Sequence, residues 1–392
     1  MRIGLDLGHC TAAYGGIGRY VEELTRALLA QRVSAAGPDE FVLFTGDDEP
    51  AWLSDAVAAP GPGSPASRTR AETRHTRAGH ATLRANLLLG PRLARLRIRV
   101  FHAPDTLGFP LTSARGVARV VTVHDLIPLL LPQTVTRRHR WIRGIMLSCV
   151  VRWADRLIAD SQATARDLAD RFPEAADKTR VVHLGVDPRF APATGEAVAA
   201  VRRELGLPSA YLLYAGVISP VKNLERLIEA YATLWKESRE IPPLVIAGRR
   251  GWLADGIMRR AHELGLGGSV RFCGFVPDVA LPALLTGASA FLFPSRYEGF
   301  GLPVLEAMAC GTPVLAGNRA SLPEIAGEAA VLVDPEDPAG IADGIRNLLQ
   351  DSGRRARLVQ RGIAQARRFR WEETARRTMA VYREAAEQTA SG

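Results

Sequence analysis

The sequence predicts an α/β protein built as two doubly wound parallel sheets, each covered by helices on both faces. Three observations predict it. Short apolar runs alternate with helix-length segments from one end of the chain to the other. At 392 residues the chain is long enough for two cores of ordinary domain size. Between two runs of the same rhythm lies Val186–Pro208, rich in proline and alanine and carrying one short helix, which marks the boundary.

In the first run, strands are expected at Arg2–Leu7, Phe41–Thr45, Val100–His102, Arg119–Val123, Arg156–Ala159 and Arg180–His183. Helices are expected at Ile17–Ala30 and Arg138–Ala154. Ser161 before Gln162-Ala163-Thr164 reads as an N-cap, starting a helix that runs to Arg171 and ends before Pro173. Residues 59–67, alternating proline, glycine and serine, are loop. The basic stretch after them is expected to be a flap with one amphipathic helix near Ala81–Leu89. In the second run, strands are expected at Tyr211–Ala215, Leu244–Ala247, Ser269–Cys273, Ala290–Phe293, Pro313–Ala316 and Ala330–Val333. Trp371–Gln388 reads as a long polar helix crossing back to the first domain. The expected domains are therefore 1–190, 191–370 and a C-terminal helix over 371–392, with ligands at strand carboxyl ends in the cleft between two facing sheets.

The hydrophobic fraction of 47% and a mixture of both charges describe a soluble globular protein. No apolar run approaches the length of a spanning helix. The opening Met1–Asp6 enters a strand directly and does not resemble a signal peptide. Cys10, Cys149, Cys273 and Cys310 are scattered without metal-ligand spacing, so a reduced, cytoplasmic setting with no metal site is expected. The net charge of +9 is uneven: residues 1–190 hold 26 Lys+Arg against 19 Asp+Glu, a net +7. Nine arginines lie between Arg68 and Arg99 beside one acid, Glu72. An anionic membrane surface or a lipid diphosphate suits that stretch, as does a plain solvated face. No nucleic-acid motif accompanies the charge, so nucleic acid is not an expected partner.

The most informative segment runs from Pro294 to Met308. The strand Ala290–Phe293 stops at Pro294, passes through a loop with Gly299 and Gly301, and restarts as a helix at Pro303. The glycines let the backbone approach a ligand, and the helix start aims free N–H groups at an anion. Glu298 and Glu306 bracket this cradle with seven residues between them. Carboxylates hold hydroxyl groups and not phosphate, so the pair suggests a sugar nucleotide. Paired carboxylates also invite a glycosidase reading, but one here precedes the helix and the other lies within it.

Five further strand ends suit a nucleotide-like ligand. Gly15-Gly16-Ile17-Gly18 opens the first helix, where the glycines serve an anion or simply a tight turn. His124-Asp125 ends an apolar strand; His124 can reach a sugar hydroxyl or phosphate, and Asp125 can equally cap a turn. Lys222, in Gly216–Asn223, is a mobile cation able to reach a diphosphate. Arg249, in Ala247–Trp252, adds a second cation, and Phe275 with Val276 offers an aromatic edge and backbone groups for a base. Nucleophile elbows, phosphate-binding Walker loops, zinc-protease and kinase motifs are absent.

These blocks, with Ser161-Gln162-Ala163-Thr164 and Leu322-Pro323-Glu324, resemble the retaining glycosyltransferases of family 4, and within them bacterial mannosyltransferases of polysaccharide assembly. The resemblance implies the GT-B fold of two facing Rossmann-like domains, the first for acceptor and the second for donor. It implies that Gly16 and the amides of Gly299, Phe300, Gly301 and Leu302 meet the donor diphosphate. Lys222 then neutralises the leaving phosphate, Glu306 holds the ribose, Glu298 contacts sugar hydroxyls, and His124 sits by the sugar on the acceptor side. Many members carry an arginine where this chain has Val217, leaving Arg249 or Lys222 to supply the charge. The implied reaction is metal-free transfer of a hexose, mannose from GDP-mannose first, to a glycan or lipid-linked acceptor of cell-surface polysaccharide or glycolipid at the cytoplasmic membrane face. A UDP- or dTDP-linked glucose or rhamnose is the alternative donor. An epimerase or hydrolase acting on the donor alone is the rival activity.

Overall fold

The computed structural model describes residues 1–8, 15–31, 39–46, 50–58, 69–73, 80–112, 114–252 and 254–391. The chain divides into two compact units. One comprises Met1–Pro132, Thr136–Gly185 and Arg370–Gly392; the other comprises Gln133–Val135 and Val186–Phe369.

The first unit's strands are β1 (Arg2–Asp6), β2 (Glu40–Thr45), β3 (Thr69–Thr73), β4 (Val100–Ala103), β5 (Ala118–Val123), β6 (Arg156–Ala159) and β7 (Thr179–Val181). They form one parallel sheet in the order β3-β2-β1-β4-β5-β6-β7. Its helices are α1 (Gly15–Ala30), α2 (Ala51–Ala58), α3 (His80–Arg95), α4 (Ile127–Leu130), α5 (Arg137–Trp153) and α6 (Gln162–Arg171). The Ser161 hydroxyl accepts from the Thr164 amide at 3.1 Å and starts α6 as its sequence indicates.

The second unit holds β8 (Leu212–Ala215), β9 (Leu244–Ala247), β10 (Val270–Gly274), β11 (Ala290–Phe293), β12 (Val314–Gly317) and β13 (Ala330–Val333), parallel in the order β10-β9-β8-β11-β12-β13. Around them lie α7 (Gly195–Glu204), α8 (Leu224–Glu237), α9 (Ala254–Glu263), α10 (Leu281–Thr286), α11 (Leu302–Ala309), α12 (Leu322–Ala326), α13 (Pro338–Gln350) and α14 (Ser352–Ala366). The central strands, Leu-Leu-Tyr-Ala, Ala-Phe-Leu-Phe and Val-Leu-Ala-Gly, are buried at every residue. Helices on both faces leave no polar side to alternate with, so continuous apolar runs result. The last helix, α15 (Trp371–Ser391), packs on α1 and β5 of the first unit.

Alternation along the first sheet assigns its faces. Phe101, Ala103, Val121 and Val123 cluster with Leu89, Leu93, Met146, Leu147 and Val150, which places α3 and α5 on that side. His102 and Thr122, between those residues, point the other way. There Tyr20 of α1 bonds Thr122 at 2.8 Å, Thr122 bonds His102 Nε2 at 2.8 Å, and His102 Nδ1 meets Tyr382 of α15 at 2.7 Å. Burial, with the nearby His124 charge, lowers the His102 pKa to about 3, so it is neutral in this chain.

Two elements differ from expectation. The stretch read as a flap contributes a strand, β3, in register with β2 from Phe41↔Thr69 to Thr45↔Thr73, and α3 extends to Arg95. Thr-Arg-Ala-Glu-Thr has no apolar alternation to announce a strand; backbone pairing at the sheet edge makes it one. Residues 59–68 and 74–79 of that region lie outside the described residues. Pro303 is the second residue of its helix and not the first, since α11 begins at Leu302 with Gly301 as N-cap.

Candidate active site

In both sheets the strand order reverses between the first strand of the unit and the one beside it, β1 with β4 and β8 with β11. Loops leaving the carboxyl ends of such a pair diverge to opposite faces and open a crevice. In the second unit that crevice is flanked by the segments carrying Lys222 and Glu298.

The two side chains meet there. Lys222 Nζ lies 2.7 Å from Glu298 Oε1 and 2.8 Å from Oε2, and 5.4 Å from the centroid of the Phe293 ring. The residues that hold them together were not singled out in the sequence. Asn223 sits in the left-handed region (φ 61°) and is buried. Its Nδ2 donates to the carbonyls of Pro294 at 3.0 Å and Pro335 at 2.6 Å, using both N–H groups. The Arg296 amide donates to Val221 at 3.0 Å, a second tie between the same loops. Buried Ser321 places its hydroxyl 2.8 Å from the Glu298 carbonyl and 2.6 Å from that of Phe300, so it shapes the cradle from beneath.

The cradle itself is glycine-dependent at one point. Gly301 has φ +115°, and a Cβ there would stand 2.8 Å from Leu322 Cδ2. The Phe300 ring is buried and packs edge-on against Phe369 at 5.8 Å, so the residue offers a ligand its backbone only. Gly299 and Leu302 complete the turn into α11, in which Pro303 carries no N–H and the Val304 amide donates to the Gly301 carbonyl at 3.0 Å. Glu306 lies in the second turn and is buried; its charge adds to burial in raising the Cys310 thiol pKa to about 12.

The neighbouring strand ends β8, β9 and β10 are laced into one floor. The Gly248 amide donates to the Gly274 carbonyl at 2.6 Å, and the Ile218 amide to Arg249 at 2.9 Å. Gly248 has φ +150°, and a Cβ on it would overlap the Gly216 carbonyl at 1.8 Å. Above this floor the Arg249 guanidinium lies 4.4 Å over the Phe275 ring, while Val276 is buried. The exposed large apolar residues described in the second unit are Val217, Trp252, Phe275 and Val279, all on loops after these three strands. Such clustering marks a surface that a flat, partly apolar ligand can cover. Val279 carried no signal in the sequence.

In the first unit, Gly16 is the second residue of α1, and a Cβ there would meet nothing within 4 Å. His124 follows β5. Its Nδ1 lies 2.6 Å from Asp160 Oδ2, and its Nε2 lies 2.8 Å from the Pro104 carbonyl, which can only accept. Both ring nitrogens therefore carry protons, and the ring is an imidazolium. Burial opposes that charge, but Asp160, with Asp105 and Asp125, outweighs it and raises the pKa to about 9. Arg143 of α5 pairs with Asp105 at 2.5 Å. The Asp125 carboxylate accepts from the Ile127 amide at 3.0 Å, acting as a turn cap; burial still raises its pKa. Asp160, Asp105 and Arg143 gave no sequence signal because each joins the group only through sheet order. Among the described residues no cluster of three or more metal-ligating side chains occurs, and no helix is long and apolar enough to cross a membrane.

Comparison with known proteins agrees with this arrangement. Residues 14–190 match the model "Glycosyltransferase Family 4", and residues 200–365 match "Glycosyl transferases group 1". O-antigen chain mannosyltransferase B of Escherichia coli is 32% identical over 384 residues, covering 94% of this chain and 96% of that protein. D-inositol 3-phosphate glycosyltransferase of Salinispora arenicola is 37% identical over 290 residues, 69% of this chain and 64% of that protein. Among solved structures, sucrose-phosphate synthase of Thermosynechococcus elongatus superposes with a TM-score of 0.75 over 98% of both chains at 24% identity. With two Rossmann-like units, both family matches and a mannosyltransferase 32% identical along nearly its whole length, the chain belongs to the GT-B glycosyltransferases and resembles the bacterial mannosyltransferases among them.

Proposed function

We propose that this glycosyltransferase moves mannose from GDP-mannose to a glycan or lipid-linked acceptor in cell-surface polysaccharide synthesis, with retention at the anomeric carbon and without a metal ion. The observation that carries the donor reading is the Lys222–Glu298 pair beside the start of α11. A cation and a carboxylate held within 3 Å suit a ligand that presents a phosphate and sugar hydroxyls side by side. In this reading the α11 amides and Lys222 stabilise the charge that grows on the departing diphosphate. The bond from the anomeric carbon to phosphate oxygen breaks as that to the acceptor oxygen forms on the same face. The acceptor proton passes to the leaving phosphate.

Glu298 orders the sugar, Glu306 the ribose, and Arg249 with Phe275 and Val276 the base; Gly16 serves the diphosphate, and His124, whose ring nitrogens are both held by the protein, acts on the sugar through its positive charge. Mannose is favoured by the O-antigen mannosyltransferase, similar over nearly the whole chain. A phosphorylated polyol acceptor forms the second reading, favoured by the 37% identity to the inositol 3-phosphate enzyme, and a UDP-linked sugar is the alternative donor.

Melting curves with GDP-mannose, GDP, UDP-glucose and dTDP-rhamnose test the donor. Ligand at ~100 times its dissociation constant stabilises by about 2.7 kcal/mol. The expected result is a rise with GDP-mannose that is lost in Lys222→Ala. A response to UDP-glucose alone shifts the reading to the second donor, and no response to any nucleotide sugar overturns it. Consumption of donor without acceptor, by mass spectrometry, identifies a hydrolase or epimerase.

A further inference from the structure

Four buried polar side chains cross the first unit in one line: Tyr20 of α1, Thr122 of β5, His102 of β4 and Tyr382 of α15, none more than 2% exposed. Their contacts run 2.8, 2.8 and 2.7 Å. Neutral His102 has one N–H and one bare nitrogen, so every hydrogen can point the same way along the line, each group donating to the next. Burial, and after it the Asp160 charge, holds the Tyr20 phenol above its ordinary pKa, so the hydroxyl keeps its proton. Apolar residues of the same shape would fill this space at little cost, whereas a satisfied chain of bonds admits one arrangement. What the line fixes lies at its Tyr20 end. The Tyr20 ring meets the His124 ring at 4.8 Å and 81°, a third contact on an imidazolium already held by Asp160 and the Pro104 carbonyl. Tyr20 also stands one helical turn after Gly16 on α1. Trp371, which opens α15, lies 6.2 Å from the same ring.

We propose that Tyr20 is a positioning residue for the transfer reaction, and that the Tyr20–Thr122–His102–Tyr382 chain ties the start of α1 and the His124 ring to the returning helix α15. In the proposed function, on which this rests, His124 acts on the donor sugar and Gly16 on the diphosphate. All four chain residues are buried, so they act through His124 and α1 and not on the ligand. The bonds to Asp160 and Pro104 leave the His124 nitrogens in the plane of the ring and fix it within that plane. Rotation out of the plane is limited by the Tyr20 ring, which stands nearly perpendicular. Tyr20 thus sets the placement of both first-unit groups assigned to the donor, and a misplacement of about 1 Å is enough to cost roughly 100-fold in rate.

Tyr20→Phe keeps the ring beside His124 and removes its bond to Thr122, while Tyr382→Phe cuts the chain at its far end. Nuclear magnetic resonance of protein labelled at histidine Cε1 gives eight signals, of which His124 is the one lost in His124→Gln. That signal is expected to move and broaden in both tyrosine variants. GDP-mannose is expected to bind each variant about fivefold more weakly. GMP, which lacks the second phosphate and the sugar, is expected to bind them as it binds the wild type. A lower melting temperature with the wild-type His124 signal and wild-type GDP-mannose affinity makes the chain a core brace only and overturns the proposal. So does a moved signal with unchanged GDP-mannose affinity, or a loss of GMP affinity by the same factor. If Tyr20→Phe fails to fold, Tyr382→Phe decides by the same readings. Wild-type protein that binds neither GDP-mannose nor GMP strikes the donor reading instead, and the His124 signal then decides the chain alone.

Discussion

Replacing Asn223 by alanine removes both hydrogen bonds that tie the Lys222 loop to the backbone at Pro294 and Pro335. Each buried N–H···O bond contributes about 1 kcal/mol net. The residue also stands at φ 61°, where an L residue without a polar side chain costs about 1 kcal/mol more than asparagine. Alanine should therefore destabilise the second unit by about 3 kcal/mol, a fall of roughly 6–12 °C in its melting temperature at 2–4 °C per kcal/mol. Asn223→Gly relieves the backbone but not the lost bonds, so about 2 kcal/mol is expected. Asn223→Asp keeps the shape and turns an oxygen toward two carbonyls, so it should be at least as damaging as alanine. Calorimetry on the three variants, with donor titrations, separates these contributions. The donor-induced shift should weaken in all three, because Lys222 and Glu298 lose a brace. If aspartate matches the wild type, or alanine and glycine melt within 1 °C of it, the reasoning about this brace is refuted.

The remaining predictions are shorter. His124 has a folded pKa raised from 6.5 to about 9, so its contribution to stability is complete below about pH 6.5 and is lost as pH rises through 9. Asp160→Asn should flatten that loss when melting is compared at pH 6 and above 9, and the His124 ring resonances should titrate lower. Gly248→Ala meets a carbonyl at 1.8 Å and should cost more than 4 kcal/mol, seen as insoluble protein or loss of the second unit's transition. Gly16→Ala meets nothing, so it should melt within about 1 kcal/mol of wild type; any drop in donor affinity then reports on that backbone alone. Tyr382→Phe should cost about 1–3 kcal/mol by stranding His102 Nδ1 in the core, measurable by chemical denaturation.

Local pattern made some of the site readable in advance. The turn from Phe293 to Leu302 announces itself because a strand, a proline, two glycines and a helix start follow one another along the chain. The cap at Ser161 is local in the same sense. Asn223 reads from the sequence only as part of a loop, since its partners lie 71 and 112 residues away. Asp160 reaches His124 across 36 residues because β5 and β6 are neighbours, which no spacing rule encodes. The role of His124 sharpens accordingly. A histidine at a strand end reads as a switchable donor or acceptor, whereas this one spends both nitrogens on the protein and stays charged.

The amino-acid sequence by itself determined the succession of parallel strands and helices, and the turns that present glycine and free amides at strand ends. Those follow from periodicity and backbone chemistry within a few residues. Tertiary structure decided which polar groups became partners: Lys222 with Glu298 across 76 residues, His124 with Asp160, and His102 with Tyr382 of the returning helix. It also decided that Thr69–Thr73 is an edge strand and that Trp141 faces solvent. Such outcomes depend on strand order and on which helix face finds a neighbour, and both are set only when the sheets assemble.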